Sequence, residues 1–398
     1  MTQLFGTDGV RGIPGRYPLT EETVAEIAEV SARILMRGGG VNNGNRPLVL
    51  MGRDTRGSGP MISRWLVEGF SAAGCRTVDM GVVPTPAVAY LTPRLKACAG
   101  AVVSASHNPA RFNGIKFFTR DGYKMPPESE NAVERGLLPE GSARRRRPRP
   151  ARAQDGSDMV GRYIEFLRST FPATMDLSGL RLVVDCAHGA AAKIAPPLLR
   201  GLGAEVITLG CAPDGRNIND GCGALSPDLM QETVRRRRAD CGVCFDGDAD
   251  RAIFADEKGA LLDGDNLICL SALRLKRIGQ LRRGKVVLTV MSNFGLIKFL
   301  AREGVSVVSV PVGDRNVTAA IEAEGLSLGG EASGHVIFRS FSSTGDGILT
   351  ALQTLAALRE AGGRLSAYRA MYCAVPQVLK NLSVERRVPL ERLTRLRA

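Results

Sequence analysis

The sequence predicts an α/β protein made of repeated domains, and three observations carry that reading. One pattern of apolar strand, polar loop, helix and apolar strand occurs three times along the 398 residues. Residues able to do chemistry cluster just after apolar strands, where open α/β sheets bind ligands, so three similar domains can face one cleft. A hydrophobic content of 44% in a chain of this length suffices for several buried cores.

In chain order, the first helix is marked by Thr20 as its cap, by Glu21 and Glu22, and by Val24, Ile27, Ala28, Ile34 and Leu35 along one face. The first repeat runs from Leu48-Val49-Leu50-Met51 through Arg53-Asp54-Thr55-Arg56 and a helix to Thr77-Val78-Asp79-Met80. From Pro139 to Asp158 the apolar periodicity gives way to Gly, Ser, Pro and Arg, which reads as a linker. The second repeat runs from Leu182-Val183-Val184-Asp185 through His188-Gly189 to Val206-Ile207-Thr208-Leu209, and the third from Val286-Val287-Leu288-Thr289 through Ser292-Asn293 to Val307-Val308-Ser309-Val310. A turn at Glu257-Lys258-Gly259 and the stretch Met371 to Gln377 mark the remaining boundaries, giving segments 1–157, 158–257, 258–374 and 375–398.

Composition argues against several classes. No run of about eighteen apolar residues is present and the start has no basic segment leading into an apolar one, so neither a membrane span nor export is expected. Nine scattered cysteines fit a reduced cytoplasm better than a disulfide framework. The one close pair, Cys241 and Cys244, lies in an apolar run and reads as buried packing rather than zinc ligation. The formal charge of +13 draws on Arg144 to Arg147, Arg149, Arg152 and Arg235 to Arg238. Pro148 and Pro150 interrupt the first group, the second ends a helix whose dipole it complements, and no aromatic residues interleave with either. Specific nucleic-acid binding is therefore not expected, whereas the field favours small anions.

The hexapeptide Asp246-Gly247-Asp248-Ala249-Asp250-Arg251 places three carboxylates at alternate positions before a fixed cation. Such carboxylates repel unless a positive ion sits among them, and hard oxygen ligands suit Mg²⁺ or a similar divalent ion. Asp246, Asp248, Asp250 and Glu257 also match four positions of a calcium-binding helix-loop-helix, but Arg251 stands where that loop needs Gly, and Cys241 to Phe245 looks like a strand rather than the entering helix. Arg251 suits a phosphate oxygen beside the metal.

Three further loops are candidates. Ala101-Val102-Val103 ends in Ser104-Ala105-Ser106-His107-Asn108-Pro109, which presents a hydroxyl beside a histidine as a nucleophile or phosphate carrier, although turn chemistry alone also accounts for it. Asn113-Gly114-Ile115-Lys116 offers a lysine for proton transfer, or a surface cation. In Gly330-Glu331-Ala332-Ser333-Gly334-His335, Glu331 and Ser333 can bind neighbouring sugar hydroxyls, and His335 is either a proton carrier or a satisfied hydrogen-bonding residue.

Taken together, Phe5-Gly6-Thr7-Asp8-Gly9-Val10-Arg11-Gly12, the loop Ser104 to Pro109, the loop Asp246 to Arg251 and the loop Gly330 to His335 resemble the α-D-phosphohexomutases. Pro84-Thr85-Pro86-Ala87-Val88-Ala89-Tyr90 and Asn113-Gly114-Ile115-Lys116-Phe117-Phe118 bring the amino-sugar branch of that family closest, and the resemblance spans roughly residues 3 to 382. It implies three α/β domains with mixed sheets around a shared cleft, with a fourth domain largely absent. It also implies a phosphoenzyme in which Ser106 carries the phosphoryl group and its phosphate joins Asp246, Asp248 and Asp250 around one Mg²⁺. Lys116 and His335 would move protons, Glu331 and Ser333 would hold the sugar, and Arg11, His107 and Arg251 would contact phosphate. A sugar bisphosphate would activate the enzyme, and glucosamine 6-phosphate and glucosamine 1-phosphate would interconvert.

Three departures from that pattern are visible. The distal-phosphate loop of type Arg-x-Ser-Gly-Thr-Glu-Pro has no counterpart between Val378 and Ala398, so a weaker hold on substrate is expected. Ala332 stands where the amino-sugar branch usually carries Asn, which opens mannose and glucose phosphates as substrates. Ala249 replaces a more usual Gly, which matters if that position needs positive φ. Two other readings are a Mg²⁺-dependent phosphatase with an aspartyl nucleophile, which leaves Ser106 idle, and a protein that binds sugar phosphates without turning them over.

Overall fold

The computed structural model describes residues 4–6, 8–37, 46–137 and 150–378. Arg144 to Arg147 and Arg149 of the expected linker, and nearly all of the segment 375–398, lie outside these residues.

The first domain comprises β1 (Phe5–Gly6), β2 (Gly9–Gly12), α1 (Glu21–Met36), β3 (Leu48–Arg53), α2 (Gly59–Ala72), β4 (Arg76–Val82), α3 (Thr85–Arg94), β5 (Ala99–Val103), β6 (Asn113–Thr119), α4 (Pro127–Gly136) and β7 (Gln154–Asp155). Next come α5 (Val160–Thr170), β8 (Arg181–Asp185), α6 (Ala195–Gly201), β9 (Glu205–Leu209), α7 (Asp228–Arg237), β10 (Cys241–Phe245), β11 (Ala252–Ala255) and β12 (Leu261–Leu262). The third domain holds α8 (Gly264–Arg277), β13 (Lys285–Thr289), α9 (Phe294–Arg302), β14 (Ser306–Val310), α10 (Asp314–Glu324), β15 (Leu328–Gly330), β16 (Val336–Phe338), α11 (Gly347–Ala361) and α12 (Leu365–Arg369).

All three sheets are mixed and share one wiring. Their orders are β1-β2-β6-β5-β3-β4-β7, β12-β11-β10-β8-β9 and β14-β13-β15-β16. In each, three parallel strands (β4-β3-β5, β9-β8-β10, β14-β13-β15) are followed by one antiparallel strand (β6, β11, β16). The three repeats read from the sequence coincide with β3 to β4, β8 to β9 and β13 to β14. Central strands such as β5 and β10 are buried along their whole length, which explains their unbroken apolar runs. Cys241 and Cys244 are buried in β10 with free thiols. The linker stretch contains one unforeseen element, β7, which adds to β4 in parallel; two residues are too few to show a period.

Local signals hold where they are strong. Thr20 caps α1 by accepting from the Thr23 amide, and Val24, Ile27 and Ala28 are buried beneath it. Arg235 to Arg237 close α7, with Arg238 left-handed as its cap. Helix α11 is buried on every side from Gly347 to Leu358, and it runs through an apolar cluster that joins all three domains. Its N-cap Asp346 accepts a hydrogen bond from the buried Tyr163 hydroxyl of α5 at 2.8 Å, while Phe166 stacks on Tyr90 of the first domain at 3.7 Å. No helix among the described residues is long and apolar enough to cross a membrane.

Helices α1 and α2 approach through Gly69, where an added Cβ would collide with the Ala25 carbonyl oxygen and press on Ala28. Gly69→Ala is expected to destabilise the first domain by about 1–3 kcal/mol, read as a thermal transition several degrees lower by circular dichroism, with Gly161→Ala, whose Cβ meets open space, as the neutral control.

Candidate active site

The loops that carry the candidate residues occupy equivalent places in the three sheets. Each joins the last parallel strand to its antiparallel neighbour: residues 104–112 between β5 and β6, 246–251 between β10 and β11, and 331–335 between β15 and β16. The wiring therefore delivers one chemical loop per domain to a common cleft.

Ser106 is buried, and its Oγ donates to Asp246 Oδ2 at 2.6 Å across the boundary of the first two domains. Its φ is +50°, a left-handed conformation that a side-chain-bearing residue adopts only when its surroundings impose it. Beneath it, the Ser106 amide donates to Ser104 Oγ at 2.9 Å, and Ser104 donates to Asp54 Oδ2 at 2.6 Å. The Asp54 carboxyl is pushed up by burial, against the pull of Arg56.

Ligand oxygens of Asp246, Asp248 and Asp250 lie within 4.8 Å of one another. Asp248 Oδ2 accepts from Thr85 Oγ1 at 2.5 Å and from Lys116 Nζ at 2.9 Å. Asp248 Oδ1 and Asp250 Oδ1 are buried without any hydrogen-bond partner. Buried carboxylate oxygens left bare in this way are costly in a closed fold, and three converging hard donors fit a divalent cation. Burial, together with Asp250 and Asp248, pushes the Asp246 carboxyl well above the usual carboxylate range. Asp250 goes the other way: burial alone would raise it, but Lys116, His335 and Arg251 hold it below that range.

Lys116 is no surface cation. Only 2% of its side chain is exposed, and Nζ sits 2.9 Å from Asp8, 2.9 Å from Asp248 and 3.6 Å from Asp250. Burial favours its neutral form, yet these carboxylates keep its pKa well above the ordinary lysine value. His335 is also buried. The Gly345 amide donates to its Nε2 at 3.1 Å, so the neutral ring carries its proton on Nδ1, 3.7 Å from Asp250 Oδ2. Burial works against the charged ring, but Asp250 and Asp314 raise its pKa overall.

Above this buried floor is a cleft of about 520 Å³ whose walls include Arg11, His107, Arg251, Glu331 and His335. Arg11 is 2.7 Å from Asp8, and Arg251 is 3.8 Å from Asp250, so both guanidinium groups reach the cleft with donors to spare. Glu331 is oriented by the Gly313 amide at 3.0 Å, whereas Ser333 is exposed and is not among the residues lining the cleft. Three charged residues that the sequence reading did not single out complete the site. Asp8 bridges Lys116 and Lys124, Lys124 pairs with Asp314 of the third domain, and Asp314 faces His335 Nε2 at 3.8 Å. Asp8 stands within the first motif; Lys124 and Asp314 carry no local signal. Ala249 has φ +57°, so the position that usually holds Gly does need the left-handed region.

Family models described as phosphoglucomutase/phosphomannomutase, alpha/beta/alpha domains I, II and III, match residues 2–143, 161–259 and 263–374. The chain belongs to this family of phosphohexomutases. Among its relatives, the phosphoglucosamine mutase of Geotalea uraniireducens is 46% identical over 387 residues, covering 96% of this chain and 84% of its own. That of Rhodospirillum rubrum is 47% identical over 383 residues, covering 96% and 83%. A crystal structure of a Thermus thermophilus phosphomannomutase superposes with a TM-score of 0.81 at 27% identity, covering 92% of this chain and 82% of that one. The fold alone is shared with an Aspergillus fumigatus N-acetylphosphoglucosamine mutase solved with GlcNAc-6P and magnesium, at 18% identity and a TM-score of 0.59.

Burial, followed by Arg251 and Arg11, lowers the His107 pKa to about 4. Because this lies below the unfolded value near 6.5, the unfolded chain takes up the proton first, and His107 erodes stability as pH falls from about 6.5 towards 4 while leaving it unchanged above that window. An imidazole NMR titration in the presence of a chelator should place its midpoint near 4, and Arg251→Ala should move that midpoint upward.

Proposed function

We propose that this chain interconverts glucosamine 6-phosphate and glucosamine 1-phosphate by passing a phosphoryl group through Ser106. The observation that carries the reading is the Ser106 Oγ to Asp246 Oδ2 contact of 2.6 Å between two domains, beside two buried carboxylate oxygens without partners. A phosphatase with an aspartyl nucleophile gives no reason for a strained, buried serine at that point. The relatives' shared name, phosphoglucosamine mutase, supplies the substrate class.

In this mechanism Asp246, Asp248 and Asp250 hold one Mg²⁺, which when bound supplies positive charge to the phosphoryl oxygens. The sugar monophosphate enters the cleft with Glu331 and Ser333 on its hydroxyls and Arg11, His107 and Arg251 on phosphate. A sugar hydroxyl oxygen attacks phosphorus in line, the bond from phosphorus to Ser106 Oγ breaks, and the hydroxyl proton passes to His335. Lys116, kept charged by its carboxylates, offsets the charge developing on Ser106 Oγ. The bisphosphorylated sugar then turns end for end, and its other phosphoryl group returns to Ser106 by the reverse steps. An added sugar bisphosphate primes the serine.

A second reading, in which the sugar is mannose or glucose phosphate, is favoured by Ala332, which offers no amide to an amino sugar. Comparing kcat/KM over the three sugar 6-phosphates decides between them.

Incubation with a sugar bisphosphate should add the mass of one phosphoryl group to the intact chain, and Ser106→Ala should abolish that gain and lower mutase turnover by at least about a thousandfold. Phosphoryl uptake or turnover that persists in Ser106→Ala would overturn the phosphoenzyme.

A further inference from the structure

Two side chains outside the reacting set converge on the backbone that carries Ser106. Arg56 is fully buried, with Nε on Asp54 Oδ2 at 2.8 Å, and it donates to the carbonyls of Ser106 at 2.9 Å, Asn108 at 2.7 Å, Pro109 at 2.7 Å and Phe112 at 2.9 Å. From the second domain, Asn219 Nδ2 donates to two of the same carbonyls, Ser106 at 2.9 Å and Asn108 at 3.1 Å. Asn219 is itself left-handed, with φ +59°, and its amide nitrogen is tied to the Ala187 carbonyl at 2.9 Å. The third side of this layer is Gly247 of the acidic loop, where a Cβ would strike both the Ser106 carbonyl oxygen and Asn219 Nδ2.

Resting on the phosphoenzyme reading, we infer that Asn219 is a positioning residue: with Arg56 it clamps the Ser106 and Asn108 carbonyls and so fixes the direction of Ser106 Oγ relative to Asp246. The division of labour follows from the chain. Arg56 sits in the same domain as the serine and holds the loop in shape wherever that domain goes. Asn219 sits in the domain that supplies Asp246, so its amide registers the loop against the acidic side of the site. A serine that must both release and recover a phosphoryl group needs the same orientation in each direction, and a carbonyl gripped from both domains cannot rotate without breaking bonds on both sides. The Asn219 side-chain amide donates to the Ser106 and Asn108 carbonyls and not to the Ser106 hydroxyl, and Asn219 is not among the residues lining the cleft, so it acts through that backbone.

The experiment measures single-turnover phosphoryl uptake on Ser106 from a sugar bisphosphate, by quenched intact mass, beside steady-state kinetics and thermal melting. Asn219→Gly tolerates the positive φ but lacks the amide, and Asn219→Asp keeps the shape but turns an oxygen towards two carbonyls. Both variants are expected to reach the wild-type end point at a rate at least about tenfold lower, with kcat reduced in step, KM within about twofold and the melt close to wild type. A wild-type uptake rate in Asn219→Gly, a loss confined to KM, or collapse of the melt in both variants would overturn the inference. A wild type that takes up no phosphoryl group sinks the phosphoenzyme reading and this inference with it; a normal wild type beside normal variants sinks this inference alone.

Discussion

The arrangement depends on Lys116 remaining charged in a buried place. Asp8, Asp248 and Asp250 all lie within 3.6 Å of its Nζ, on two domains, and each would cost on the order of several kcal/mol to bury unpaired. One ammonium cannot satisfy three carboxylates, so the set stays short of positive charge. The shortfall is focused at Asp248 Oδ1 and Asp250 Oδ1, which are buried without a hydrogen-bond partner. Lys124 between Asp8 and Asp314, and Arg11 on Asp8, extend the same compensation toward the third domain. The first domain thus supplies most of the fixed cations and the second most of the anions, and the docking of the two is itself an electrostatic bond.

This explains why chemistry and topology coincide. A hairpin from the last parallel strand to an antiparallel neighbour is short, anchored at both ends and placed at the carboxyl edge of the sheet, and the same hairpin recurs in all three domains. Repetition of the wiring brings the serine, the aspartates and Glu331 with His335 to one place from chain positions more than two hundred residues apart. The sequence shows the first half of each repeat plainly, because two buried parallel strands around an amphipathic helix have strong periods. It also shows the loops as motifs, since Ser106 to Pro109 and Asp246 to Arg251 are locally unusual in composition.

What could not be read is whatever acquires meaning only by pairing across domains. Lys116 stands out in the sequence as a candidate proton carrier, but its burial between Asp8 and Asp248 does not. Asp314 and Lys124 sit in ordinary polar surroundings and meet over a separation of 190 residues. Arg56 follows a strand in a run that reads as a loop, yet its guanidinium is among the largest fully buried side chains. Asn219 has the same character: a turn residue by composition whose amide reaches another domain. Such contacts leave no periodic trace, because one residue with the right donor is enough. Ser333 belongs to a recognisable loop, and its side chain is exposed beside Glu331 and His335, which line the cleft.

Backbone strain marks the same two loops. Ser106 and Ala249 are both left-handed, a conformation that costs an L-residue about 1–2 kcal/mol. At Ala249 the cost is met locally: its amide donates to the Asp246 carbonyl at 3.0 Å and its carbonyl accepts from Gly347, the first residue of α11, at 2.9 Å. The acidic loop is thereby fastened to the helix at the centre of the common core, and Asp346, one residue earlier, is fastened to Tyr163 of the second domain. At Ser106 the cost is met by hydrogen bonds from two domains onto one carbonyl. Those bonds fix the backbone from which the Ser106 hydroxyl reaches Asp246 Oδ2. These two loops are thus the ones whose geometry is least their own, and it is the packing of the three domains, more than any residue at the site, that keeps them aligned.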